Sequence, residues 1–169
     1  MMRRTPLARK TPLRASKGIT TRKAALNRRA VQAARRTPRD TGPSQEVRAM
    51  VIVRSSGCCE HCGRQLHEAG QWIDEHSFHH RRPRGMGGTN RPETNGAANL
   101  LLLCGSGTTG CHGLIEAGRA MAHESGQLLW QTQDPAEVPV WILQRGLGLV
   151  SRLAPALLDD DGSLEWVNP

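Results

Sequence analysis

Two clusters of thiols constrain this chain more than any other feature. Cys59 and Cys62 form a C-x-x-C pair, and Cys104 and Cys111 form a second pair with six residues between them. Aromatic residues are only 3% of the 169, with one Phe, four Trp and no Tyr, so the apolar core must be thin. Thin cores need a staple such as a metal, disulfides or a partner chain. The first twenty residues are basic and Pro-containing, with no apolar signal-peptide core, and no run approaches the ~18 apolar residues of a membrane span. The chain therefore reads as soluble and cytoplasmic, with no membrane partner, where thiols stay reduced and paired cysteines favour metal over disulfides. The odd fifth cysteine, Cys58, points the same way.

Tetrahedral coordination by four thiolates needs two close pairs brought together by the fold. Cys59 and Cys62 suit a knuckle turn in which Gly63 permits the unusual backbone angle, and the Gly-rich run 105–110 can fold back to bring Cys104 toward Cys111. A Zn2+ site closed by four thiolates leaves no open position for substrate, so its expected role is structural.

The net charge of +8 is unevenly distributed. Residues 1–40 carry thirteen Arg or Lys, among them Arg3, Arg4, Arg9 and Lys10, against Asp40 alone, whereas the other 129 residues carry ten Arg and fourteen acids. A basic, Pro-containing stretch with few apolar residues predicts a disordered arm over 1–42 that engages nucleic acid, with a helix over 21–36 that forms on DNA. A solvated solubility tail is the plainer reading of the same arm. The folded part is expected in 43–125, with 126–169 packed on it or trailing.

Within that part, Ser44 predicts the N-cap of a helix through Arg54, stopped by Gly57. Segments 72–75 and 77–80 read as two short strands of one hairpin. Residues 81–98 read as a long surface loop, and 100–104 as a buried strand, although four leucines could also begin a helix. A helix is expected from Cys111 with Leu114, Ile115 and Met121 on its apolar side. Two further strands are expected at 128–130 and 138–142. Residues 146–169 offer only the turn Asp159-Asp160-Asp161-Gly162.

With the cysteines closing one site, chemistry falls to the histidines. His79 and His80 are followed by Arg81-Arg82-Pro83-Arg84, and His112 opens the helix after the second thiol pair. The ordered series Cys-x-x-Cys, His-His, Asn99, Cys and Cys-His, together with the segment from His79 to Gly88, resembles the HNH endonuclease family in its zinc-stapled bacteriophage and prophage form. The resemblance covers roughly residues 44–120. It implies an α+β fold of the ββα-metal (His-Me finger) type and a metal-dependent DNA endonuclease using a one-metal mechanism. His80 would be the general base on the attacking water, Asn99 would hold the loop that positions it, and His79 with His112 would bind the catalytic divalent ion. Products would carry a 5′-phosphate and a 3′-hydroxyl.

Many relatives carry Asp where this chain has His79, which shifts the expected metal from Mg2+ toward Mn2+, Co2+, Ni2+ or Zn2+. Glu116, four residues after His112, shares its helix face and is a further candidate ligand. Adjacent strand residues point to opposite faces, so His79 and His80 reach one site only if the strand ends or bulges there. Arg81, Arg82, Arg84 and Arg91 are expected phosphate contacts. A phage role would imply work beside terminase or portal proteins. Two rivals remain: a non-catalytic zinc-stapled DNA-binding module, and an RNA-directed nuclease or RNA-binding protein, against which the scarcity of aromatics argues weakly.

Overall fold

A computed structural model of the chain describes residues 42–85, 91–145 and 151–168. The arm, the helix expected in it, and the glycines at 87 and 88 lie outside those residues. The chain divides into two units, Met1–Asp40 and Thr41–Pro169, and all described residues belong to the second.

Among the described residues the first helix, α1 (Gln45–Arg54), begins where the sequence predicts, because the Ser44 hydroxyl accepts from the Val47 amide at 3.3 Å. It ends before Gly57, whose φ of +71° places it in the left-handed region. A Cβ at Gly57 would collide with the His67 carbonyl, so the position requires glycine. The hairpin that follows is not the expected one. β1 (His67–Glu68) pairs with β2 (Gln71–Trp72) across Ala69 and Gly70, both at positive φ, which is the two-residue turn compatible with strand twist.

The strand β3 (His76–His80) pairs instead with β4 (Leu100–Cys104), antiparallel, with His76 opposite Cys104 and His80 opposite Leu100. The physical reason is burial. All five residues of β4 are buried, and the leucine strand needs a partner that also covers apolar surface, which the exposed stretch 71–75 does not offer. The four leucines thus form a strand rather than a helix, and two short 3-10 turns, Pro92–Asn95 and Ala97–Asn99, lead into it.

After β4, α2 (Gly110–Ala117) and α3 (Arg119–Glu124) are separated by Gly118. Ile115 is buried, but Leu114 and Met121 are 67% and 75% exposed, so the expected apolar face of this helix is only partly inside. Residues 128–130 are not a strand; Leu128 and Leu129 are buried in an irregular stretch. The tail beyond residue 146 has a structural role that its sequence did not disclose. β5 (Val140–Gln144), β6 (Arg152–Leu158) and β7 (Leu164–Trp166) form an antiparallel sheet in that order. Val140, Ile142, Ala156 and Leu158 join the same core as Val51, Leu66 and the four leucines of β4. The turn at Asp159–Gly162 also reaches inward, since Asp160 accepts from the Ala98 amide at 3.0 Å.

The protein is thus a small α+β domain of short helices and two- or three-stranded antiparallel sheets. No helix among the described residues is long and apolar enough to cross a membrane.

Candidate metal centres and the histidine strand

The knuckle, the end of β4 and the first turn of α2 meet at the four cysteines. Their sulfurs all lie within 4.8 Å of one another, and Cys62 and Cys104 stand 3.8 Å apart. Zn–S bonds of ~2.3 Å in a tetrahedron place sulfurs about 3.8 Å apart, so the group fits a metal such as zinc. The loop between Cys104 and Cys111 closes because Gly105 and Gly110 both take positive φ, and a Cβ on Gly105 would meet the Thr109 backbone. The Cys111 amide donates to the Cys104 sulfur at 3.4 Å.

The thiols disagree about ionisation. Burial pushes Cys59 up to about 11, against backbone hydrogen bonds from Cys62, Cys104 and His61 that pull it down. Burial also raises Cys111, with the nearby Cys59 charge adding to it. At Cys62 burial is outweighed by hydrogen bonds from the Arg64 amide and the neighbouring thiols, and its value is lowered. Four thiolates this close repel one another, and a divalent cation among them would remove that penalty.

A buried ion pair fastens the knuckle to the core. Arg54 at the end of α1 grips Glu60 with two bonds, at 2.9 and 3.1 Å, and also donates to the carbonyls of Ala97 and Leu100. Glu60 in turn accepts from the Leu102 amide at 2.8 Å. With every charged atom hydrogen-bonded, the burial cost of the pair is offset, and removal of either partner would leave an uncompensated charge.

A second cluster forms on the inner face of the β3–β4 pair. His79, His112 and Glu116 each offer a donor atom within 4.8 Å of the others. His79 is 2% exposed, and its Nε2 donates to the Gln127 carbonyl at 2.9 Å, which leaves Nδ1 with the lone pair. That Nδ1 and His112 Nε2 each lie 3.9 Å from Glu116 Oε1, too far for a hydrogen bond and within the ~3–4 Å spacing of ligands on one ion with ~2.1 Å bonds. His112 Nδ1 is buried with no hydrogen-bond partner. Burial holds His79 down to about 4 and lowers His112 as well, so both are neutral near pH 7, the form that binds metal. Glu116 Oε2 is held by Arg119 at 2.9 Å.

His80 occupies the opposite face, and the strand ends there. Its Nε2 faces the Asn95 Oδ1 at 3.1 Å, and Asn95 donates to the Gly42 carbonyl at 3.2 Å. An amide oxygen only accepts, so Nε2 carries the proton and Nδ1 is the basic nitrogen. Burial lowers the His80 value, with the Arg84 and His112 charges adding to the effect and the Asn95 bond opposing it. Asn99, fully buried, closes the loop behind it: its side chain accepts from the Arg82 amide at 2.7 Å and donates to the carbonyls of Thr94 and Arg82 at 2.8 and 3.2 Å. Asn99 therefore fixes Thr94, and the next residue fixes His80.

Two of the four loop arginines cannot meet phosphate. Arg81 is 0% exposed and donates to the carbonyls of Gly126, Ala98, Pro135 and Val138; burial lowers it to about 9, so it remains charged at neutral pH. Arg82 is 5% exposed, bonded to the Gln133 carbonyl and to Glu93 at 2.9 Å each. Their donors satisfy the irregular segment 126–138, whose carbonyls have no ladder of their own. Arg84 stays near His80, and Arg91 is exposed and donates to the Gln131 carbonyl at 2.9 Å. Arg3, Arg4, Arg9 and Lys10 lie outside the described residues.

Sequence reasoning missed Asn95 and Gln127. Asn95 sits in an Asn-Gly dipeptide that reads as a turn. Gln127 lies in the irregular stretch, yet its carbonyl orients His79 while its side chain donates to His61 Nδ1 at 2.9 Å and the Trp141 carbonyl at 3.0 Å. No periodic signal marks either residue.

No protein-family model matches this chain, and comparison with curated proteins and with solved structures finds no match.

Proposed function

We propose that the protein is a metal-dependent endonuclease that hydrolyses DNA phosphodiester bonds, with a zinc ion held by Cys59, Cys62, Cys104 and Cys111 as a structural staple. The observation that carries this reading is the juxtaposition of the His79–His112–Glu116 cluster with a separately oriented histidine, His80, next to it in the chain. The chain order of β3, β4 and α2 supports a ββα-metal arrangement, since the first strand supplies His79 and His80 and the helix supplies His112 and Glu116. The comparisons add nothing for or against it.

A divalent ion on His79, His112 and Glu116 would supply electrostatic stabilisation of charge on a phosphate and a leaving oxygen. The protein's own groups do the rest. His80 Nδ1, neutral near pH 7, is suited to take a proton from water, because Asn95 on Nε2 fixes both tautomer and ring orientation. Asn99 positions that pair by tying Thr94 to Arg82. Gln127 performs the same service for His79. Two nitrogens and one carboxylate oxygen favour Mn2+, Co2+, Ni2+ or Zn2+ over Mg2+ at this cluster.

Supercoiled plasmid tests the proposal. Nicking by wild type with added Mn2+ or Ni2+ and none with EDTA is expected, with loss of at least about 100-fold in His80→Ala while zinc content and circular dichroism stay the same. No nicking by folded, zinc-loaded protein with any metal would favour the binding-module alternative. Preferential cleavage of RNA would favour the RNA-directed one.

A further inference from the structure

On the outer face of β3 the side chains of His76, Phe78 and His80 form a row, as every second residue of a strand must. They line a cavity of about 410 Å3 together with Trp72, Arg48 of α1 and Arg84. The walls are aromatic and ordered. Trp72 stacks on His76 with ring centres 3.4 Å apart and planes 10° from parallel, and Phe78 meets both rings edge-on at 6.0 and 6.2 Å. The Arg48 guanidinium lies 5.7 Å over the Phe78 ring and also donates to the Pro43 carbonyl at 3.1 Å. Trp72 nevertheless stays 40% exposed. Among the described residues lining the cavity there is no carboxylate.

The combination is selective. Cations alone would serve any polyanion, and duplex DNA presents phosphates while its base faces are covered by their neighbours in the stack. An aromatic wall gains contact only with bases that are out of the helix. We infer that this groove binds an unpaired stretch of DNA beside the scissile phosphate, with a base against the Trp72–His76 stack and Arg48 and Arg84 at its phosphates. The inference rests on the proposed role of His80 for the position of the cut, but the binding itself does not require cleavage. It makes the preferred substrate a DNA with single-stranded character at the site, such as a flap, gap or frayed end.

Binding is read by fluorescence anisotropy with the full chain and no added catalytic metal, using a labelled 12-nucleotide strand, the same strand with abasic sites at its centre, and the corresponding duplex. The abasic strand keeps every phosphate, so it isolates the bases without altering the protein. Wild type is expected to bind the intact strand about tenfold more tightly than the abasic strand. In Trp72→Ala that ratio falls to near one and duplex affinity changes less than twofold, whereas Trp72→Phe restores most of it. Equal affinity of wild type for intact and abasic strands would overturn the inference, as would an RNA strand of the same sequence competing ten times better than DNA. Either result leaves plasmid nicking untouched, and absence of nicking with a persisting tenfold ratio would defeat the nuclease proposal while the groove assignment stands.

Discussion

Arg81 shows how far a residue's place can depart from its type. In the segment Arg81-Arg82-Pro83-Arg84 after two histidines it reads as a phosphate ligand, yet it is a buried clamp whose donors hold four carbonyls from 98, 126, 135 and 138. Replacing it with Met removes all four bonds and leaves those acceptors unsatisfied. The expected cost in urea unfolding is at least ~3 kcal/mol, a loss that would show as a large fall in the transition midpoint. A change below ~1 kcal/mol would mean the segment finds water instead. His79 gives a second test at this scale. Its folded value near 4 lies below the ordinary ~6.5, so the unfolded chain binds the proton first, and stability present above pH ~6.5 is lost as pH falls toward 4. That one shift corresponds to a few kcal/mol over the window. His79→Gln keeps a donor for the Gln127 carbonyl and is expected to lose less stability than wild type between pH 7 and 5; equal losses would assign the proton uptake to other groups. Histidine identity was legible in the sequence, but which face each ring takes and which nitrogen is free follow from Gln127 and Asn95, whose contacts come from distant turns.

At the scale of elements, the thiol cluster joins three pieces of backbone: the knuckle, the end of β4 and the start of α2. Chelation of the proposed zinc is expected to release α2 and with it His112, lowering helical circular dichroism and the unfolding temperature together. Cys62→Ser should reduce bound zinc from one equivalent to well below it. A protein that keeps its unfolding temperature with no metal would exclude the staple. The C-terminal sheet makes the complementary prediction. Ala156 and Leu158 of β6 pack in the common core, so truncation after residue 150 is expected to give insoluble or unfolded protein rather than an intact domain. The cap at Ser44 was legible because a local hydrogen bond determines it, and the burial of the leucines was legible from composition, though not their choice of strand over helix. The pairing of β3 with β4 was not, because a short strand carries no local signal that selects its partner.

At the scale of the whole chain, all the excess positive charge resides in residues 1–40, while the remainder is net acidic. Removal of 1–41 is expected to weaken DNA binding strongly at low salt and to flatten the dependence of log K on log salt. Metal-dependent nicking should survive the truncation at higher protein concentration, because the proposed catalytic groups all lie beyond residue 78. An unchanged salt slope would relegate the arm to solubility.

The sequence alone determined the thiol pairs, the charge asymmetry and the helix capped by Ser44, since each depends on residue type and near neighbours, whereas composition left the leucine run open between strand and helix. Tertiary structure alone decided which arginines are buried, that the tail completes the core, and that the aromatic row on β3 opens beside His80. Those outcomes depend on which carbonyls lack a partner and which apolar faces need covering, and such needs arise only when distant segments meet.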